Sequence, residues 1–162
     1  MFAYLQALDI SVLELIRTTL SFDSIWFQRA ILFFSDLEPI LFGLFLIGFW
    51  FYGLSVKNNG PKHVALDLFW HVMGAFAIYW IINHLLPIRP RPESVSRLPP
   101  LISHLPDNSF PSGHAMFWGA SWWALHILLR KPRVTLLFFV LGFITCMTRI
   151  IAGIHYPGDI LV

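Results

Sequence analysis

The stretch PSGHAMFWGASWWALHILLRKPRVTLLFFVLGFITCMTRI, residues 111–150, holds two long apolar runs separated only by Arg130-Lys131-Pro132-Arg133. Each run approaches the roughly 20 residues that a helix needs to cross a hydrocarbon core. The basic, proline-containing tetrapeptide reads as a tight turn, because proline starts a helix more readily than it continues one. The stretch therefore predicts two antiparallel membrane helices, over 112–130 and 134–151. Their polar residues gather at one end. Ser112, Gly113 and His114 open the first helix, and Arg149 closes the second.

The whole chain has the same character. Of its 162 residues, 57% are hydrophobic and only 12% charged, about half the ~25% of an ordinary soluble domain. Mean hydropathy is +0.68. A net charge of +2 gives no footprint for nucleic acid. The single cysteine, Cys146, excludes an internal disulfide and a cysteine-built metal site. The opening MFAYLQALDISVLELIR carries Asp9 and Glu14 where a signal peptide has its apolar core, so it does not read as one.

Residues 3–20 read as an amphipathic helix. Leu5, Leu8, Val12, Leu15 and Ile16 lie near one face, with Gln6, Asp9 and Arg17 elsewhere. Such a helix is expected to lie in the membrane interface. A second helical stretch over 24–37 meets Asp36, Glu38 and Pro39, where a break is expected before the apolar span 39–54. The turn-forming SVKNNGPKH leads into a span over 64–86, which Pro87 ends. A loop rich in proline and arginine fills 87–111. After Arg149, AGIHYPGD is expected to open a fifth helix for which too few residues follow. The expected fold is all-α: a polytopic transmembrane bundle of about five spans, the last incomplete, over 24–162, with an interfacial helix over 1–23. Lys57, Lys62, Arg130, Lys131 and Arg133 all fall in loops on one side, which the distribution of positive charge assigns to the cytoplasm. The opposite, outward side carries 87–111 and 149–159.

That outward end collects chemistry from distant parts of the chain: His84, Arg89 and Arg91; Ser112, Gly113 and His114; Arg149; His155 and Asp159. The set suits phosphoryl transfer. Guanidinium forks bind phosphate oxygens and stay charged. A helix N-terminus at Ser112-Gly113 offers N–H groups to an anion, and Gly113 admits close approach. His155 and Asp159, four apart, stand one helical turn from each other, so the carboxylate can hold one ring nitrogen while the other attacks phosphorus. His114 can protonate the leaving oxygen. No carboxylate cluster suggests a metal, and arginine would take its place in stabilising charge. His63, His71, His104, His126, Asp67 and Arg97 read as structural or headgroup-facing, and Trp122 and Trp123 as interface anchors.

Three segments, HLLPIRPRP, PSGH and TRIIAGIHYPGD, resemble the three motifs of the type 2 phosphatidic acid phosphatase and vanadium haloperoxidase superfamily: K-x6-R-P, P-S-G-H and S-R-x5-H-x3-D. The resemblance runs from about residue 64 to 162. It implies His155 as nucleophile through a phosphohistidine, Asp159 orienting it, and His114 as general acid. It implies Arg91, Arg149, Ser112 and Gly113 as phosphate ligands. His84 stands where the family has lysine and Thr148 where it has serine, and Arg89 is a further candidate for phosphate contact. The expected activity is metal-independent and cofactor-free hydrolysis of a lipid phosphate or diphosphate, undecaprenyl diphosphate among the leading substrates, in a bacterial plasma membrane with the site outward. The partners expected are that substrate and membrane lipid, not nucleic acid. The alternatives are a non-catalytic membrane scaffold with a degenerate site and a vanadate-dependent haloperoxidase.

Overall fold

The protein's computed structural model describes residues 2–20, 24–102 and 107–161. Five α-helices follow in order: α1 (Phe2–Thr19), α2 (Ile25–Ser55), α3 (Gly60–Leu85), α4 (Gly113–Leu129) and α5 (Pro132–Ile151). Short 3-10 turns lie at Pro92–Ser94 and Pro157–Asp159. No strand occurs among the described residues. His104 lies outside them, as do the side chains of residues 34–39.

The helix ends follow local chemistry. Pro87 pushes Leu86 into extended backbone, ψ 153°, and α3 stops there. Ser112 is the extended N-cap of α4. Arg130 turns left-handed at φ 49°, Lys131 is extended, and Pro132 opens α5. The tetrapeptide is thus the tight turn its sequence predicts.

Two expectations are corrected. The break near Pro39 is not there: α2 is continuous from Ile25 to Ser55. In an apolar medium, breaking the helix would leave several backbone groups without partners, whereas carrying a proline through it forfeits about one hydrogen bond. The segment after α5 is also not the start of an α-helix. Gly153 takes φ +76°, and Pro157–Asp159 forms a 3-10 turn closed by Tyr156 N donating to Asp159 Oδ2 and Asp159 N donating to Tyr156 O.

The helix α4 packs against both α3 and α5, and α2 packs against the same two. Leu68 and Val72 of α3, Phe117, Trp118, Ala124 and Leu125 of α4, and Phe138 of α5 form the buried centre. Phe42 of α2 meets Phe117 edge-on at 4.9 Å between centroids. Gly142 lets α5 come close to α4: a Cβ there would lie 2.8 Å from Trp118 Cβ. Large apolar side chains such as Trp70, Ile78, Leu136 and Phe143 point outward. Among the described residues two helices, Gly60–Leu85 and Pro132–Ile151, are long and apolar enough to cross a membrane, and Ile40–Ser55 is a shorter apolar stretch. With its apolar exterior the molecule is a polytopic membrane bundle.

The helix α1 packs on the C-terminal end of α5 and on the Pro157–Asp159 turn. Its docked face differs from the apolar face read in the sequence. Leu5, Leu8 and Leu15 are exposed, whereas Leu13 is fully buried against Ile150 and Tyr156. Asp9, Leu13 and Arg17, spaced four apart, form the stripe that meets the bundle. Arg17 donates to the carbonyls of Leu98 and Pro99 at 3.0 and 2.5 Å.

Candidate active site

The loop after α3, the N-terminus of α4 and the segment after α5 converge at one end of the bundle. Their backbones are tied together. Ser112 N donates to Asp159 O at 3.0 Å and Leu101 N to Ala152 O at 2.9 Å, while within the loop Ser109 N donates to Arg89 O at 2.9 Å. The Asn108 side chain accepts from Arg89 N at 2.9 Å.

His155 is buried. Its Nδ1 lies 2.9 Å from the Ser109 carbonyl oxygen, an acceptor only, so Nδ1 carries the proton and donates. The lone pair then belongs to Nε2, which faces Arg91 Nη1 at 3.3 Å. Asp159 Oδ2 stands 3.5 Å from Nδ1. At that distance the carboxylate acts on the ring mainly as a charge, and the Ser109 carbonyl is the direct hydrogen-bond partner. Burial pushes the His155 pKa below its ordinary 6.5, and Arg91 adds to this; Asp159 and the Ser109 carbonyl oppose it. The resting imidazole is therefore neutral near pH 7.

Asp159 is itself fully buried. Its Oδ2 accepts from Ser109 Oγ at 2.5 Å and from Tyr156 N at 2.9 Å, and its Oδ1 from Arg89 Nη1 at 2.5 Å. This network replaces the helical turn that the four-residue spacing suggested. The capping carboxylate sets the turn, and the turn places His155.

Arg91 is 5% exposed. Its Nε donates to Asp107 at 2.6 Å and its Nη1 to the Ile154 carbonyl at 2.8 Å. These contacts hold a guanidinium beside the His155 lone pair. On the adjacent helix ends, Arg149 of α5 hydrogen-bonds His114 of α4 through its Nη2 and the imidazole Nε2. The Ser112 hydroxyl is buried and has no hydrogen-bond partner among the described residues. Gly113 begins α4, whose first amides have no partner within the helix. Thr148 is buried, with its hydroxyl donating to Thr145 O at 2.6 Å.

Two other candidates sit differently. Arg89 binds Asp159 and, through Nη2, Asp9 at 2.6 Å, and its guanidinium lies 4.2 Å over the Tyr156 ring. Burial alone would lower its pKa, but the two carboxylates outweigh that and raise it. It is held between two carboxylates. His84 is exposed; its Nδ1 lies 2.7 Å from Trp80 O and its ring stacks on Trp80 at 4.1 Å. None of these contacts reaches the His155 cluster, because hydrogen bond and stacking both run back along α3. Asp107, Asn108 and Ser109 are site residues that sequence reasoning missed. The only signal was PDNSF, a turn-forming run just before PSGH. Asp9 was read as merely polar.

A helical membrane bundle whose one end joins a buried histidine and two buried arginines, one of them paired with a second histidine, has the groups that a class of phosphate-handling proteins uses. The chain belongs to the PAP2 superfamily, whose family model matches residues 64–162. It is 30% identical over 132 residues to undecaprenyl-diphosphatase BcrC of Bacillus subtilis, covering 80% of this chain and 63% of that protein. It is 37% identical over 124 residues to a lipid A 1-phosphatase of Rhizobium johnstonii, covering 65% of this chain and 47% of the relative. The chain thus spans between about half and two thirds of these relatives. The crystal structure of a transmembrane PAP2-type phosphatidylglycerolphosphate phosphatase from Bacillus subtilis has the same fold. The TM-score is 0.71 at 17% identity, over 98% of this chain and 78% of that one.

Proposed function

We propose that the protein hydrolyses a lipid phosphate or diphosphate at the membrane surface through a phosphohistidine. The observation that carries this is the locked tautomer of His155, with Nδ1–H on the Ser109 carbonyl and Nε2 turned to Arg91. Nε2 attacks phosphorus while the bond to the leaving oxygen breaks. His114 gives that oxygen its proton. A water then attacks phosphorus, returns a proton to His114, and releases phosphate from Nε2. Arg91, Arg149, Ser112 and the first amides of α4 at Gly113 take up the charge that grows on the equatorial oxygens. Asp159 stabilises the cationic ring of the intermediate from behind. Arginine and backbone dipoles supply the stabilisation, so the reaction needs no metal.

The substrate class follows from the site's place at the end of a lipid-facing bundle, where a headgroup enters while its tail stays in the membrane. Prenyl diphosphates such as that acted on by the Bacillus relative lead, ahead of glycerophospholipid phosphates. The site faces outward, opposite the basic turns, and α1 lies in the interface. Phosphate release from long-chain prenyl diphosphate in detergent, with EDTA present, tests the reading. Activity that survives EDTA and disappears in His155→Ala is expected. Dependence on added divalent metal, or an active His155→Ala, would overturn it.

A further inference from the structure

The helix α1 lies outside the residues that the family model matches, 64–162, yet one of its side chains reaches the turn that carries His155 and Asp159. Asp9 touches that turn in two ways. Its Oδ1 accepts from Gly158 N at 2.9 Å. Its Oδ2 accepts from Arg89 Nη2 at 2.6 Å, while Arg89 Nη1 holds Asp159 Oδ1 at 2.5 Å. One carboxylate thus grips the backbone of the turn and, through a bridging guanidinium, its catalytic carboxylate. Gly158 is required for the first grip, because a Cβ there would run into the Asp9 carboxylate.

We propose that Asp9 is a positioning residue of the active site, acting on His155 through Arg89 and Asp159. The proposal rests on His155 being the nucleophile. Asp9 contacts neither His155 nor any residue assigned to the phosphate. Its effect therefore runs along one chain: Asp9, Arg89, Asp159, then the Ser109 hydroxyl and Tyr156 amide that Asp159 binds. The two carboxylates and one guanidinium leave one net negative charge on the Nδ1 side of the ring. That charge favours the cationic phosphohistidine, and losing Asp9 cancels it. Arg89 is 24% exposed at its side chain; without Asp9 its guanidinium keeps Asp159 and the Tyr156 ring but loses the second carboxylate that fixes it on Asp159 Oδ1. Leu13, one turn further along α1 and fully buried, sets the depth at which Asp9 arrives.

The consequence is kinetic. Phosphate ligands such as Arg91 and Arg149 act on substrate binding and transition state together. Asp9 acts on the nucleophile alone, so its loss belongs in kcat.

The test uses the full chain in detergent with a long-chain prenyl diphosphate, with kcat counted per folded protein from the monodisperse size-exclusion peak. Asp9→Asn is expected to lower kcat about 10-fold or more and leave KM within about threefold, as for an interaction that matters only in the transition state. Asp9→Glu, which keeps the charge, is expected to restore kcat to within about fivefold of the wild type. In a double-mutant cycle, Asp9→Asn added to Arg89→Gln is expected to cost less than about twofold more, because both changes break one chain. A kcat for Asp9→Asn within twofold of the wild type overturns the proposal, as does a double mutant whose loss is the product of the single losses. If the active wild type loses nothing in His155→Ala, the nucleophile assignment fails and takes this proposal with it. If His155→Ala is dead while Asp9→Asn is normal, only the role of Asp9 fails.

Discussion

In the proposed reaction the chemistry turns on His155, and its immediate surroundings decide its protonation. A carbonyl oxygen cannot donate, so the 2.9 Å contact from Ser109 leaves the proton on Nδ1 and the lone pair on Nε2. Burial, reinforced by Arg91, disfavours the cation and lowers the pKa from 6.5. The neutral ring is the nucleophilic form. Activity falls on acidification when that ring takes up a proton, and a lowered pKa moves the fall to more acid pH. The acid limb of kcat/KM, which reports the free enzyme, is thus expected to have its midpoint below pH 6.5. A pH–rate profile with that midpoint above 6.5 would show that the imidazole is not held neutral by its site. That His155, Asp159, His114, Arg91 and Arg149 gather at one end of the bundle was legible in the sequence because each sits in a motif of fixed spacing. Their partners were not. Ser109 acts through its backbone carbonyl, which no side-chain pattern reports. Asp107 and Asp9 approach from segments whose own spacing carries no signal. Arg89 looked like another phosphate ligand because sequence shows a charge without showing what neutralises it.

At the scale of elements, α4 and α5 hold the two halves of the site. Their ends present His114 and Arg149 to each other, so their separation has to be set closely. Gly142 sets it by admitting Trp118 to the surface of α5. Small residues at such crossings let helices approach where no hydrophobic force drives them together. Gly142→Ala places a methyl 2.8 Å from Trp118 Cβ, an overpacking that costs about 1–3 kcal/mol. Thermal unfolding in detergent is expected to show a lower midpoint, and kcat to fall with it as His114 and Arg149 move apart. An unchanged midpoint would mean that the helices yield without strain. The apolar runs and the RKPR turn made these two helices legible. Two features were not. Pro39 signalled a break in α2 because helix breaking by proline is a rule for water, where the freed groups are solvated. The docked face of α1 was hidden because Asp9, Leu13 and Arg17 look like a solvent stripe until their partners are known.

At the scale of the whole molecule, the turns divide into two sets at opposite ends. The site occupies one end. Lys57, Arg130, Lys131 and Arg133 occupy the other, all exposed. Positive charge marks the cytoplasmic side of short loops, so the site is expected to face outward. The chain's single cysteine, Cys146, is buried, and replacing it leaves a background for labelling. In a Cys146→Ser background, Ser94→Cys is expected to react with a membrane-impermeant maleimide in intact cells, and Lys131→Cys only after permeabilisation. The reverse pattern would place the site in the cytoplasm. The loop over 87–111 illustrates what a membrane bundle requires at its mouth. Arginines that would be costly in lipid are held by Asp107, Asp159 and Asp9, and the proline-rich backbone closes on itself, Arg89 N donating to the Asn108 side chain and Ser109 N to Arg89 O.

The sequence by itself determined the class of fold, the positions of the apolar helices and the candidate side chains that gather at one end of the bundle. Hydrophobic run length and motif spacing are local properties, written along the chain and read without knowing what lies across from them. Only the tertiary structure decided which nitrogen of His155 meets the Ser109 carbonyl and which one Arg91, which arginine lies beside that ring and which one lies between two carboxylates, and that α1 brings Asp9 to the turn. Those are relations between atoms from segments far apart in the chain. A charge or a hydrogen bond takes its meaning from the partner it meets, and the fold alone chooses that partner.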